Sequence, residues 1–474
     1  MQSHRPSGAR NAWRLTIVST LCLSISGIGT RAGTADTPQN HEADPRTKTA
    51  AAEDKQAAGG TFTLLQAKRI ALRDNPGIAA AQARVDQAAA VYRASKAPYL
   101  PVVTLSAAAH HAEDIPTDTV GIENVGSIRT YATSATAQWL VFDGFSRRFN
   151  LLAATYGRAE AAEALKDAQR LLLEAVGIAY YQALLAQENT RISRQDADFN
   201  QELSVETQKR FDAGAAARSD VLNFKIRTAQ AESSYLVSTT GYTTATIALA
   251  ALLGIPTGQL PAAMRPINRL EDPVSIPLPE LEAEIDYAIE HRPDYQQATC
   301  AIARLQSQAE AVKGDFWPAV GIEAAYGWSR QDNFRFNDGR DANSYIGISA
   351  TWEIFSGGLT TAAYSAAMAE LRQSRQQRQQ LRNEIVAGIS RQIEATDLAK
   401  KQVDLQRRIH AMTSEARNLV RSEYLAGQTS LTRLNEAQTD LIRAAGNLAV
   451  ATIRYWQERQ RLAAASGRIL ELGE

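Results

Sequence analysis

The sequence predicts a mainly α-helical chain with a β-barrel portion, built from two copies of one long unit. Three observations predict it. First, Trp139, Phe142, Gly144, Gly214, Tyr242 and Gly254 recur as Trp352, Phe355, Gly357, Gly427, Tyr455 and Gly467, each 213 positions later. Upstream the offset is 217, carrying Leu64, Ala71, Pro76 and Pro101 onto Leu281, Ala288, Pro293 and Pro318. That period is too long for a solenoid unit and reads as the tandem duplication of a structural half. Second, each copy holds two short segments that alternate apolar and small or polar residues. Third, residues 146–212 and 359–425 contain no proline, and at ~1.5 Å per residue each would make a helix of roughly 100 Å.

Composition narrows the class. The 474 residues carry 51 basic and 51 acidic side chains, so no global charge draws the chain to nucleic acid. Residues 1–35 read as a signal peptide: Arg5, Arg10 and Arg14 precede an apolar stretch from Leu15 to Ile28, followed by small residues. Cys22 lies in that stretch behind Leu21 and is not read as a lipidation site. Cys300 is then alone in the exported chain, which excludes an intrachain disulfide and marks it as a packed thiol. No later segment offers the ~18 apolar residues a spanning helix needs, so the exported protein is soluble, peripheral or a β-barrel.

In chain order, residues 36–60 are poor in anything to bury and form a flexible leader. The first repeat, 61–254, opens with a helix through Leu64, Leu65, Ile70 and Leu72, interrupted at Asn75-Pro76 and stopped by Pro98 and Pro101. Two strands follow, one with Val103, Leu105, Ala107 and Ala109 on a face, the other with Tyr131, Ala135, Ala137, Trp139 and Val141. In the second repeat, 280–467, the counterparts are Val320, Ile322, Ala324, Tyr326 and Trp328, then Ile346, Ile348, Ala350, Trp352 and Ile354. About ten residues is the length of a tilted membrane strand. Tyr99, Trp139, Trp317, Trp328 and Trp352 sit at strand ends, where an interfacial girdle belongs. The polar stretches 112–126 and 329–343 link the strands of each hairpin.

Asp143-Gly144 and Gly357-Gly358 turn the chain into the long helices. There Leu405, Ile409, Met412, Ala416 and Leu419 step by 4 and 3, as in a coiled-coil seam, and Leu185, Ile192 and Phe199 repeat Leu398, Leu405 and Met412. Gly214 and Gly427 break the pattern before a return helix. Residues 255–279 form a proline-rich linker between the repeats, and 468–474 a C-terminal tail. Four strands are too few to close a barrel, for which about eight is the minimum. The barrel reading therefore requires an oligomer.

No enzyme chemistry emerges. There is no phosphate-binding Gly-rich loop, no zinc-binding His-Glu-x-x-His and no nucleophile elbow. Adjacent His110 and His111 point to opposite faces of a strand and cannot share one ion, while His291 and His410 stand alone on helices. No cofactor, metal or catalytic residue is expected.

The duplicated order, with the tip segments Phe211 to Leu222 and Tyr424 to Ala437 and the strand exits Trp139 to Gly144 and Trp352 to Gly357, resembles the TolC family of outer-membrane efflux channels. That resemblance implies a homotrimer whose chains each give four strands to a 12-stranded outer-membrane barrel, continued by a periplasmic α-helical barrel. It implies a Gram-negative outer membrane, lipid around the barrel, a periplasmic adaptor and an inner-membrane ABC transporter as partners, and no catalysis. Within the family the chain as a whole is similar to the component that exports an adenylate cyclase-haemolysin toxin, implying a passive exit duct of a type I secretion system for a protein toxin. Carried over by position, Ser219, Asp220, Arg433 and Glu436 line the periplasmic aperture, with Gly214 and Gly427 as tip-turn glycines. Arg433 replaces an expected aspartate and breaks a purely acidic ring. No residue separates protein export from small-molecule efflux. A periplasmic adaptor would carry one coiled-coil hairpin rather than two, and a soluble coiled-coil protein leaves the Trp-ended strands without purpose.

Overall fold

The computed structural model describes residues 62–112, 128–261, 264, 277–331 and 333–473. The expected signal peptide and leader, most of the first inter-strand stretch and the middle of the linker lie outside them. The first repeat runs α1 (Leu64–Asp74), α2 (Pro76–Ala94), β1 (Val102–Ala112), β2 (Ile128–Asp143), α3 (Ser146–Asp212) and α4 (Arg218–Leu252). The second runs α5 (Leu281–His291), α6 (Pro293–Val312), β3 (Ala319–Gln331), β4 (Ala342–Thr351), α7 (Leu359–Leu425) and α8 (Leu431–Ser466). Short 3₁₀ turns, Ala97–Tyr99 and Lys313–Phe316, precede each hairpin.

Local chemistry sets the boundaries. Thr63 and Gln66 form a reciprocal capping box at the start of α1. Asn75 ends α1 and caps α2, where Pro76 occupies a position whose missing N–H costs nothing. α3 and α7 are each 67 residues long. Both end in the same way. The Gly214 N–H donates to the Phe211 carbonyl and Ala215 to Arg210, while Gly427 donates to Tyr424 and Gln428 to Glu423. Each glycine holds a left-handed φ, 75° and 76°, which closes a Schellman motif that a side-chain-bearing residue resists.

The four strands form one antiparallel sheet in the order β1-β2-β3-β4. Beside it, α3 packs against α2, α6, α4 and α8, whereas α7 packs against α6, α8 and α5. α3 is therefore interior to the layer of helices and α7 lies at its edge. The main core gathers Phe62, Ala67, Val176, Tyr180, Leu184, Leu249, Leu253 and Ile453 where α1, α3, α4 and α8 meet. Beside it Lys68 is buried, its Nζ donating to Gln460 Oε1 at 2.9 Å. Burial lowers its pKa to about 8, because desolvation penalises the charged form. At this position the second repeat has Ile285.

Two expectations change. The predicted seam turns outward on α7: Leu398, Leu405, Met412 and Leu419 are 55%, 51%, 62% and 59% exposed, while Ile192, the first-repeat match of Leu405, is 5% exposed. Inside the chain α7 instead buries Ile385, Ile389, Ala399, Val403 and Val420. Trp352 and Ile354 lie beyond the end of β4 at Thr351, although their counterparts in β2 remain in strand. β2 has β3 alongside as far as Asp143, but β3 begins at Ala319, opposite Thr351. Residues past 351 have no neighbour in this chain to hold them extended.

Candidate functional site

The sheet divides its side chains by register. Residues paired across the ladder share a face, so Val103, Ala137, Ala324 and Ile346 stand together, as do Trp139, Ile322 and Ile348. The apolar sets of both hairpins thus merge into one continuous apolar face. The opposite face carries Thr104, Ser106, Ser134, Thr136, Gln138, Glu323, Tyr345 and Ser349, with Gly321, Gly327 and Gly347 among them. Here Ser106 Oγ lies 2.8 Å from Ser134 Oγ, and the Tyr345 hydroxyl donates to Glu323 Oε1 at 2.6 Å. One face suits lipid and the other a water-filled lumen.

The aromatics mark the two ends of the sheet. At the helix-proximal end, Trp139 Nε1 donates to the Tyr99 carbonyl and Trp352 Nε1 to the Phe316 carbonyl, both at 3.1 Å. These are the same contact, made once in each repeat. Trp317 is exposed at that end. Trp328 lies at the far end, donating to Asp338 Oδ1 at 2.8 Å, beside the ring pairs Tyr131–Phe334 and Phe334–Phe336.

The passage from strand to helix differs between repeats. Arg147 Nε donates to Asp143 Oδ2 at 3.1 Å, and its other nitrogens reach the carbonyls of Pro98, Leu140 and Val141. One guanidinium so ties the end of β2, the turn before β1 and the start of α3, with charge-assisted bonds to each. Gly144 is pressed against the backbone of Gly314, where a Cβ would come within 2.3 Å, and Ser146 Oγ donates to the Ala311 carbonyl at 2.6 Å. In the second repeat Thr360 replaces Arg147, the turn is Gly357-Gly358, and nothing lies within 4 Å of either glycine's Cβ position.

At the far ends of the long helices, Leu203, Phe224, Val420 and Leu434 form a cluster flanked by Phe199 and Tyr424. It joins both tips. Arg421 Nη2 donates to Glu202 Oε1 at 2.7 Å, and Arg210 reaches the Leu425 carbonyl at 3.1 Å. Arg417 and Arg421 both stack over Phe199, and burial together with Arg421 holds Arg417 below its usual pKa. Ser219 and Asp220 lie in the first turn of α4; Arg433 lies in the first turn of α8 and Glu436 in the next. The starts of these helices are adjacent, with Asn435 Nδ2 3.5 Å from Asn223 Oδ1. Among the described residues, Asp220, Arg433 and Glu436 take part in no ion pair within the chain.

Arg147 escaped the sequence reading, although its spacing of four from Asp143 at a helix start was a usable signal. The pair Glu202–Arg421 left none, being distant in sequence and off the repeat offset. Strand alternation already sets Glu323 opposite Ile322 and Ala324; what the sequence hid is its place between Gln138 and Gly347 and its bond from Tyr345.

Comparison with known proteins places this geometry. The chain is 23% identical over 413 residues to Protein CyaE of Bordetella pertussis, covering 86% of this chain and 84% of that one. It is 25% identical over 242 residues to the alkaline protease secretion protein AprF of Pseudomonas aeruginosa, covering 49% and 48%. The fold matches the CmeC outer-membrane channel of Campylobacter jejuni with a TM-score of 0.73 at 16% identity, covering 85% of each chain. The model of the outer membrane efflux proteins matches residues 69–255 and 285–468, one segment in each repeat. The chain therefore belongs to the outer membrane efflux protein family, the outer-membrane channels of tripartite export systems.

Proposed function

We propose that three copies of this chain close into one 12-stranded barrel and serve as the passive exit duct of a type I secretion system. A periplasmic adaptor and an inner-membrane ABC transporter would drive the passenger, a protein toxin of the adenylate cyclase-haemolysin class. The observation that carries the oligomer is the pair of open sheet edges, β1 and β4. An unpaired edge is untenable in lipid, and the repeat specifies its partner. Within the chain Ala137 lies opposite Ala324 and Ala135 opposite Tyr326. Moving that register by the repeat offsets puts Ala350 of one protomer opposite Ala107 of the next, and Ile348 opposite Ala109. The exposed stripe on α7 and the open glycines after β4 lie along the same edge.

Cysteines at Ala107 and Ala350 test this, in a Cys300→Ser background. They should give disulfide-linked species ending at trimer, whereas the out-of-register pair Ala107 with Ile346 should not. A protein that stays monomeric and still conducts overturns the oligomer.

Protein export is favoured over small-molecule efflux by the similarity to Protein CyaE over most of both chains and the partial similarity to a protein named for protease secretion. Deleting the gene should remove one large protein from the culture medium and leave drug susceptibility unchanged. An unchanged set of secreted proteins with raised drug sensitivity would instead establish efflux. The apertural role of Ser219, Asp220, Arg433 and Glu436 belongs to the same proposal: from three chains these charges would converge at the closed end, where a narrow site strengthens their interaction.

A further inference from the structure

The geometry points to Glu323 as a second charge filter, a ring of three carboxylates inside the barrel and separate from the periplasmic tip. The inference rests on the channel reading and deepens it. Three observations carry it. The register puts Glu323 on the polar face, between Gln138 of β2 and Gly347 of β4. Away from the strand ends, Glu323 is the one carboxylate or cation on that face among the described residues. The Tyr345 hydroxyl donates to its carboxylate at 2.6 Å, which holds the side chain along the wall where the neighbouring glycines leave room.

The repeat sharpens the point. The first-repeat counterpart of Glu323 is Ser106, and that of Gly347 is Ser134; these two hydroxyls bond to each other at 2.8 Å. The same spot thus holds a neutral pair in one half of each chain and a clasped acid in the other. A closed trimer presents three acids at one level of an otherwise uncharged wall, alternating with three neutral positions. Rings of acidic side chains favour cations over anions in a pore. In a wide, water-filled lumen the effect is screened over a Debye length, so it should be largest at low salt.

The test is the reversal potential of the purified full-length channel in planar bilayers under a KCl gradient at low ionic strength. Glu323→Gln should lower the potassium-to-chloride permeability ratio about twofold, and Ser106→Glu, which doubles the ring, should raise it by a similar factor. Tyr345→Phe keeps the carboxylate and should keep the preference. Wild-type pores whose reversal potential is unmoved by both Glu323→Gln and Ser106→Glu, each inserting at normal conductance, overturn the filter and leave the channel intact. A wild-type protein that forms no pore overturns the channel reading, and the filter with it.

Discussion

α3 and α7 have the same length, the same glycine turn at their far ends and three matched apolar stripe positions, yet one is enclosed and the other half bare. Ile192 of α3 is 5% exposed, while its match Leu405 on α7 is 51% exposed. The junctions above them differ in the same sense: Gly144 and Ser146 press against Gly314 and Ala311, while a Cβ at Gly357 or Gly358 would meet nothing within 4 Å. The difference lies in neighbours rather than in sequence pattern. The second repeat covers the flank of the first, and no third repeat covers the flank of the second. A duplicated chain that looks unfinished on one side is what a ring of such chains requires, since each copy completes the one before it.

The sharpest way to break the comparison is to put a charge at matched positions. Ile192→Asp buries an unpaired carboxylate inside the protomer and should destabilise it by about 4 kcal/mol or more, read as loss of folded protein from detergent-solubilised outer membranes. Leu405→Asp with Met412→Asp should leave the protomer's helical content intact and shift sedimentation from trimer to monomer. Equal unfolding by both variants would mean that the α7 stripe is covered within the chain.

The junctions give the next effect. Arg147→Thr installs the second-repeat residue, leaving Asp143 without its cation and three carbonyls without donors. A loss of about 2–4 kcal/mol is expected, measured as a lowered chemical-denaturation midpoint. Thr360→Ala should cost well under 1 kcal/mol.

Lys68→Ile transfers the second-repeat residue in the same way, with the opposite sign. The folded pKa of about 8 lies below the unfolded value, so the charged lysine destabilises the fold at pH 7. That penalty fades as pH rises through 8 and is gone above the unfolded pKa. The variant should gain about 2 kcal/mol at pH 7, less the hydrogen bond that Gln460 loses, and nothing near pH 11. A gain independent of pH would assign the effect to packing.

The smallest effect is expected at the tips. Arg433→Ala should raise single-channel conductance, and Asp220→Ala with Glu436→Ala should weaken cation preference. Asp198→Ala is a suitable reference, being exposed on α3 and paired only with Arg194 one turn away. Asp167 is unsuitable, because it holds the buried Arg170 that reaches Asp294 and the Ala464 carbonyl. Unchanged conductance and selectivity in all tip variants would leave these residues as solvated turn charges.

The sequence by itself determined what is local. Proline-free runs bounded by glycine give both long helices their limits, period-two alternation locates the strands, and the offsets of 213 and 217 declare the duplication. These signals are legible because helix continuity, turn conformation and strand alternation depend on residues a few positions apart. Only the tertiary structure decided which apolar stripe is covered, where β4 stops, that both hairpins join in one sheet with Glu323 bonded by Tyr345, and that Arg147 and Glu202–Arg421 hold the two ends. Those outcomes depend on partners far along the chain or beyond it. A heptad states that a helix face is to be buried; burial itself takes a neighbour, and α3 has one on each flank within the chain where α7 does not.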